Sequence, residues 1–329
     1  MTEQTNIDTF DNLCANASSG SAGMKLFRAN GDVSVLRTNA ILQEREWVDL
    51  DKRVIQIAQD RLALTNILTA RGLTYNLGGL GATVSQWQVE SDLTDAVVNM
   101  EADSIGSSDI LTYQTQQVPI PIISKDFKIG IRALQASRKM GSNIDLTNAD
   151  AAARKVAVGI EDLLIKGHPN KFVGSSIYGV TTHPARIPGT ATGTWASDIA
   201  NIYSTVLAMI TAADQNQRYG PFALVVASGL SPLLYNVYDD GSGQTVAQRL
   251  KNIDSITDVV VSDRMPAGNV ALVQLTSDTI DIAIGQTLST VEWDSQGGMS
   301  TTFKVLTALA PRIKPDANGK LGIVHFTGC

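Results

Sequence analysis

Residues Asn143–Gly167, NIDLTNADAAARKVAVGIEDLLIKG, restrict the possible folds of this chain more than any other stretch, because every part of a helix is signalled in one run. Thr147 with Asp150 three residues on resembles a capping box, and acidic groups cluster at the start, where the helix dipole favours them. Ala152, Val156, Gly159, Ile160, Leu163 and Leu164 recur at spacings of three and four, which draws one apolar stripe along the whole length. Lys166 puts a cation in the last turn, Gly167 accepts a left-handed backbone, and Pro169 stops continuation. So long a stripe must be buried, and the rest of the chain is predicted to be organised around this helix.

Extended structure flanks it. Val118 to Leu134 alternates around Ile120, Ile122, Phe127, Ile129 and Ile131, and Phe172 to Val180 is a Gly- and Ser-containing turn region. Upstream, Ile41 to Ala70 contains a second amphipathic helix, with Trp47, Leu50, Val54, Ile57 and Leu64 on one face and Gly72 at its end. Gly78-Gly79-Leu80-Gly81 lacks the third glycine of a dinucleotide fingerprint and follows a helix, so it is predicted to be a hinge. Residues 1–38, rich in Ser, Asn, Gly, Asp and Thr, bury too little apolar surface to offset their own ordering entropy. They are either a loose terminus or an arm ordered against something else.

Ala82 to Ser124 is predicted to form a long two-stranded hairpin with an irregular tip, a ribbon marginal alone in water because two strands share little core. Between Gly72 and Ser124 there is no Lys or Arg, while Glu90, Asp92, Asp95, Glu101, Asp103 and Asp109 are all acidic. Two readings are open: chance in an acidic protein, or a matching basic surface on another subunit. After the central helix come a helical run from Trp195 and Asp198, an apolar strand Phe222–Ala227, and a polar loop Tyr238-Asp239-Asp240-Gly241-Ser242-Gly243. Helical spacing then resumes from Val246, followed by strands at 256–261, 269–275 and 279–284 that are predicted to share one α/β layer. Strands at 289–293, 300–308 and 321–326 close the chain and are predicted to pack on the central helix.

A chain of 329 residues, 43% hydrophobic and 18% charged, is globular, and 5% aromatic content makes the core aliphatic. A formal charge of −6 argues against a protein whose main task is to clamp nucleic acid. Neither an export signal nor an apolar run of about 18 residues occurs, so an unexported chain without a membrane partner is predicted. Cys14 and Cys329 are too few for a disulfide framework. His168, His183 and His325 lack ligand spacing, Gly174–Gly179 places its second glycine one position late for a nucleophile elbow, and no Gly-Lys-Ser/Thr loop exists. No catalytic, metal or cofactor site is therefore expected, and the chain is not expected to be an enzyme.

Taken in order, IDLTNADAAARKVAVGIEDLLIKG, SSIYGVTTHP, YGPFALVVASG, TVAQRLKNIDSITDVVVSDRM, DIAIGQTLSTVEWD and TFKVLTALAPRIKP resemble the α+β shell-protein fold shared by tailed-phage major capsid proteins and encapsulins. The phrases are nearest the encapsulin-like branch. The resemblance implies an N-terminal arm (1–40), an amphipathic helix and hinge (41–81), and an extended loop overlapping a neighbour (82–124). A peripheral domain (125–190) with spine helix 145–166, an axial domain (191–285) and C-terminal peripheral strands (286–329) follow. Trp87 and the six acidic residues then lie on the inter-subunit loop, and Ala152, Val156, Ile160, Leu163 and Leu164 pack the spine. Tyr238, Asp239, Asp240, Gly241, Ser242, Gly243 and Gln244 lie near a symmetry axis.

The implied partners are the chain itself as hexamers and pentamers, a separate scaffolding protein, a portal protein, a cement or decoration protein, and packaged double-stranded DNA. The implied place is a virion capsid assembled in the host bacterial cytoplasm. Residues 1–40 resemble a phage capsid arm, which favours the virus over an encapsulin enclosing a cargo enzyme. Some relatives join a loop Lys to an Asn on a neighbour, but this loop has no Lys, so a noncovalent shell is expected.

Overall fold

A computed structural model describes residues 44–59, 62–94, 110–130, 132, 147–238, 243–295 and 300–329. The predicted central helix is α3, Thr147–Lys166. Ala152, Val156, Ile160, Leu163 and Leu164 are all buried, so the apolar stripe is the packing face that the spacing indicated. Gly167 has φ +71°, and a Cβ there would fall 2.2 Å from the Ile177 carbonyl oxygen, so the helix ends in a residue that only glycine suits. Asp150, the acidic residue of its first turn, also ties the helix to its neighbour: both its oxygens accept from Arg53, Nε to Oδ1 and Nη2 to Oδ2, each at 2.7 Å.

Arg53 belongs to α1, Glu44–Gln59, which is followed by a separate short helix α2, Leu64–Ala70. The single amphipathic helix expected over 41–70 is therefore at least two elements. The junction is held by α3: the buried Glu161 carboxylate accepts from Leu64 N at 2.9 Å, Thr65 N at 3.4 Å and Thr65 Oγ1 at 2.8 Å. These are free N–H groups of the first turn of α2, which has no intrahelical partner for them. Burial pushes the Glu161 carboxyl above the usual range, against the opposing pull of those N–H groups.

Two larger sheets carry most of the strands. The first has the order β1 (Thr74–Asn76), β11 (Ile280–Ser295), β12 (Ser300–Ile313) and β4 (Ile122–Gly130). The helix α3 packs against β4 and β12 on this sheet and against α1 beside it. Gly159 permits the close approach: a Cβ there would already lie 3.0 Å from Ile123 Cγ2. Phe127 and Phe303, opposite each other in β4 and β12, stack with ring centroids 5.1 Å apart.

The second sheet has the order β7 (Ile187–Thr190), β13 (Ile323–Thr327), β10 (Asn269–Gln274), β8 (Phe222–Ala227) and β9 (Ile256–Ser262). All six residues of β8 are buried, as an uninterrupted apolar run demands of an interior strand. Against it lie α4 (Ala200–Gln215) and α6 (Val246–Lys251), the latter opened by a Thr245/Gln248 capping box, and the short α5 (Ser231–Leu234) packs beside α6.

Two expectations are corrected here. The strands 256–261 and 269–275 share a layer, but 279–284 does not join them, because 280–295 is one continuous strand of the first sheet with irregularities between Ile284 and Ser289. Of the closing strands, β12 packs on α3, whereas β13 crosses back and pairs with β10 and β7. Periodicity reports which face of a strand is buried and is silent on which sheet receives it. None of the described helices is long and apolar enough to cross a membrane.

Glu161→Ala leaves two buried N–H donors without an acceptor. It is expected to lower subunit stability by about 2 kcal/mol, read as a shift of the urea midpoint at unchanged slope.

Candidate inter-subunit surfaces

The expected hairpin is present as a ribbon of β2, Val84–Glu90, and β3, Tyr113–Pro119, paired from Val84↔Pro119 to Glu90↔Tyr113. Its foot is buried at Ser85, Val118 and Ile120, while every residue from Tyr113 to Gln117 is exposed. The outer half of the ribbon thus has no cover on β3, and Ile110 is 87% exposed. Trp87 is half-buried against the core, and its indole N–H is buried with no hydrogen-bond partner among the described residues. Glu90 and Asp92 are exposed; Asp92 accepts from its neighbour Leu93 N at 3.0 Å and from Asn318 Nδ2 at 3.2 Å. A cleft of about 280 Å³ runs between the ribbon at Trp87–Glu90 and the opposing Arg218, Asp278 and Lys314–Ala317. Asp95, Glu101, Asp103 and Asp109 lie outside the described residues.

The ribbon is fastened by charges that sequence reasoning missed. Arg312 of β12, 4% exposed, donates from Nε to Asp281 Oδ1 at 2.6 Å and from Nη2 to Oδ2 at 2.5 Å. Its Nη1 reaches Ser85 Oγ on β2 at 3.3 Å, and its guanidinium lies 3.9 Å from the ring centroid of Tyr75 on β1. Lys314 Nζ adds a bond to Asp281 Oδ2 at 2.8 Å. One bidentate arginine therefore joins β1, the ribbon, β11 and β12. The available signal was Asp281 within the apolar run Ile280–Ile284 and Arg312 within the apolar run Leu309–Ile313, an arrangement that burial tolerates only when the charges meet.

At the other expected surface, Tyr238 is half-buried and its N–H donates to the Gln244 carbonyl at 2.9 Å. Val237 and Thr245 form an isolated antiparallel bridge, and Asn252 Nδ2 reaches Gln244 Oε1 at 3.4 Å. The neck of the 239–242 loop is thus closed by backbone pairing, with Gly243 in the left-handed region at φ +66°. Arg249 stacks on Tyr238 at 4.0 Å and on Tyr203 at 5.1 Å, fixing the neck to α4 and α6. Asp239, Asp240, Gly241 and Ser242 lie outside the described residues.

Lys52 on α1 and Arg154 and Lys155 on α3 are exposed and make no ion pair among the described residues. The spine is therefore apolar inward and basic outward. The histidines serve packing. Burial, reinforced by the Arg186 cation, lowers His183 to about 4 and lowers His325 too. Their Nδ1 atoms accept from Ala185 N at 3.2 Å and Arg186 Nε at 3.3 Å. Among the described residues no cluster of three His, Cys, Asp or Glu side chains is placed to hold a metal ion.

A long buried helix on a four-stranded sheet, a projecting two-stranded ribbon and a second, five-stranded lobe define the shell-protein fold shared by tailed-phage capsid proteins and encapsulins. The chain belongs to the family of unknown function DUF6260, whose model matches residues 37–326. It is 27% identical over 280 residues to the type 1 encapsulin shell protein EncA of Myxococcus xanthus, covering 84% of this chain and 92% of that one. The virus-like particle from Pyrococcus furiosus has the same fold at a TM-score of 0.63 and 19% identity, covering 86% of this chain and 100% of that one. The capsid of Myoviridae phage XM1 matches at a TM-score of 0.64 and 14% identity, over 82% of this chain and 93% of that one.

Arg312→Ala is expected to cost about 3 kcal/mol, the lower end for a broken buried pair because Lys314 still faces Asp281. Chymotrypsin, for which the ribbon offers Trp87 and Tyr113, should cut the variant there faster than the parent in limited proteolysis followed by mass spectrometry.

Proposed function

We propose that this chain is the structural subunit of a closed icosahedral shell, and that the shell is the head of a tailed phage enclosing double-stranded DNA. The observation that carries the shell reading is the ribbon, pinned at its foot by Arg312 and exposed from Tyr113 to Gln117 on β3. A subunit gains nothing from holding two strands out in water, whereas a lattice covers them with the next copy. Standard contacts bury about 1,600 Å² in total, the scale against which the area covered on the ribbon in a shell is to be measured.

In this reading the lobe around α3 is peripheral, the five-stranded lobe is axial, and the closed neck at Tyr238–Gln244 presents its loop to the axes of hexamers and pentamers. The acidic ribbon of one copy lies against the basic outer face at Lys52, Arg154 and Lys155 of another. Scaffolding, portal and cement proteins and DNA held without sequence specificity complete the head, which assembles in the host bacterial cytoplasm. The polar stretch ahead of α1 supports the phage. A second reading, an encapsulin compartment around a cargo enzyme, is favoured by the 27% identity to an encapsulin shell protein.

Expression of the full chain followed by size-exclusion chromatography and negative-stain microscopy is expected to yield closed shells; only monomers or small oligomers would refute the shell. Nuclease-protected DNA in native particles supports the phage head, and a stoichiometric co-purifying enzyme supports the compartment. Denaturing gels of mature particles should show a single subunit band, because the extended loop offers no Lys for a crosslink. Glu90→Lys with Asp92→Lys should cut shell yield several-fold at low salt without moving the subunit's unfolding midpoint. Adding Arg154→Glu and Lys155→Glu should restore the yield.

A further inference from the structure

A short hairpin follows the spine helix: β5, Gly167–Phe172, pairs with β6, Ser175–Tyr178, and Phe172 faces Ser175 across a two-residue turn of Val173 and Gly174. Both turn residues are left-handed, with φ +50° at Val173 and +78° at Gly174. A turn of this kind asks for Asn-Gly or Gly-Gly, since a left-handed backbone crowds any Cβ and crowds a branched one most. Valine is among the least suitable residues for the first position. It is also 72% exposed, so burial within the subunit does not repay the conformational cost.

Packing does not impose the turn either. A Cβ added at Gly174 would meet nothing within 4 Å, so the tip stands in open space. Two separate costs, a strained backbone and an apolar side chain in water, therefore fall on one residue with no return inside the chain. The hairpin is continuous with the ribbon already argued to lie between copies: Gln117 Nε2 of β3 donates to Ser175 Oγ at 3.0 Å, beside Val173 and Gly174. Tyr178 at its foot, 42% exposed, and Ile122 just beyond β3, 60% exposed, extend the apolar surface.

We propose that Val173 is an assembly knob, an apolar tip that inserts into a second copy of this chain and gains from that contact what it costs the free subunit. The inference rests on the shell reading and adds a contact beyond the ribbon. The occupant is another copy because the tip adjoins, and is bonded to, the surface that the shell reading assigns to neighbouring copies.

The test compares the full-length parent with Val173→Asn, which suits the turn, and Val173→Ile, which keeps the apolar tip. For the dissociated subunit, Val173→Asn is expected to raise the thermal midpoint by a few degrees, while shell yield falls at least fivefold and the shells dissociate at lower denaturant. Val173→Ile should assemble like the parent. If the parent forms shells and Val173→Asn forms them equally well, the knob is overturned and the shell reading stands. A lowered midpoint for Val173→Asn overturns the strain argument and the knob with it. A parent that forms no shell under any condition overturns the shell reading itself.

Discussion

The structure depends on sheltering α3 while leaving it a way to meet polar neighbours. Its apolar face lies on β4 and β12, and it touches α1 and α2 through two carboxylates, Asp150 held by Arg53 and Glu161 at the start of α2. The apolar contacts supply most of the stabilising free energy, because each buried aliphatic side chain contributes about 1.5 to 3 kcal/mol. The carboxylates fix register: α1 and α2 can pair with α3 in only one alignment if neither buried charge is to be stranded. A lobe so aligned gives β4, and the ribbon preceding it, a rigid base.

The same logic recurs at the base of the ribbon. Arg312 and Asp281 face each other across β11 and β12, and the guanidinium has donors left over for Ser85 and an open face for Tyr75. A flexible lysine could balance the charge of Asp281 but could neither grip both its oxygens in one plane nor span β1 and β2 at once. The ribbon therefore leaves the body at a fixed angle, and its outer strand is presented rather than loose. Arg249 does similar service for the neck between Tyr238 and Gln244 by stacking on Tyr203 and Tyr238. In both places a cation joins elements that have little apolar area to share.

Much of this was legible in the sequence, and the failures share a cause. The spine helix, its buried stripe, the glycine at its end, the ribbon and the buried strand β8 all follow from local periodicity and turn chemistry, which a single chain displays openly. Glu161 was hidden because its partners lie 96 and 97 residues away, and Arg312 with Asp281 because they meet only after β11 and β12 pair. The misplacement of β11 and β13 has the same origin: an apolar strand announces that it needs a sheet, but both sheets would satisfy it. The ribbon was legible as a hairpin, while the residues that make the spine basic outward, Arg154 and Lys155, read as any solvated helix positions do. The order of the elements, read from periodicity and turn chemistry, is what carries the resemblance to the shell-protein fold.

The placement of β13 between β7 and β10 has a consequence for synthesis. A nascent chain that lacks residues 323–327 holds β7 with no pairing partner and β10 with one open edge. The second lobe then stays in two pieces however long the ribosome pauses upstream. Only when those residues emerge does the gap close, by one parallel and one antiparallel pairing to strands made far earlier, a slow step of high contact order. β7 and β10 are thereby held in one sheet only through β13, so the second lobe cannot close before residues 323–327 are in place.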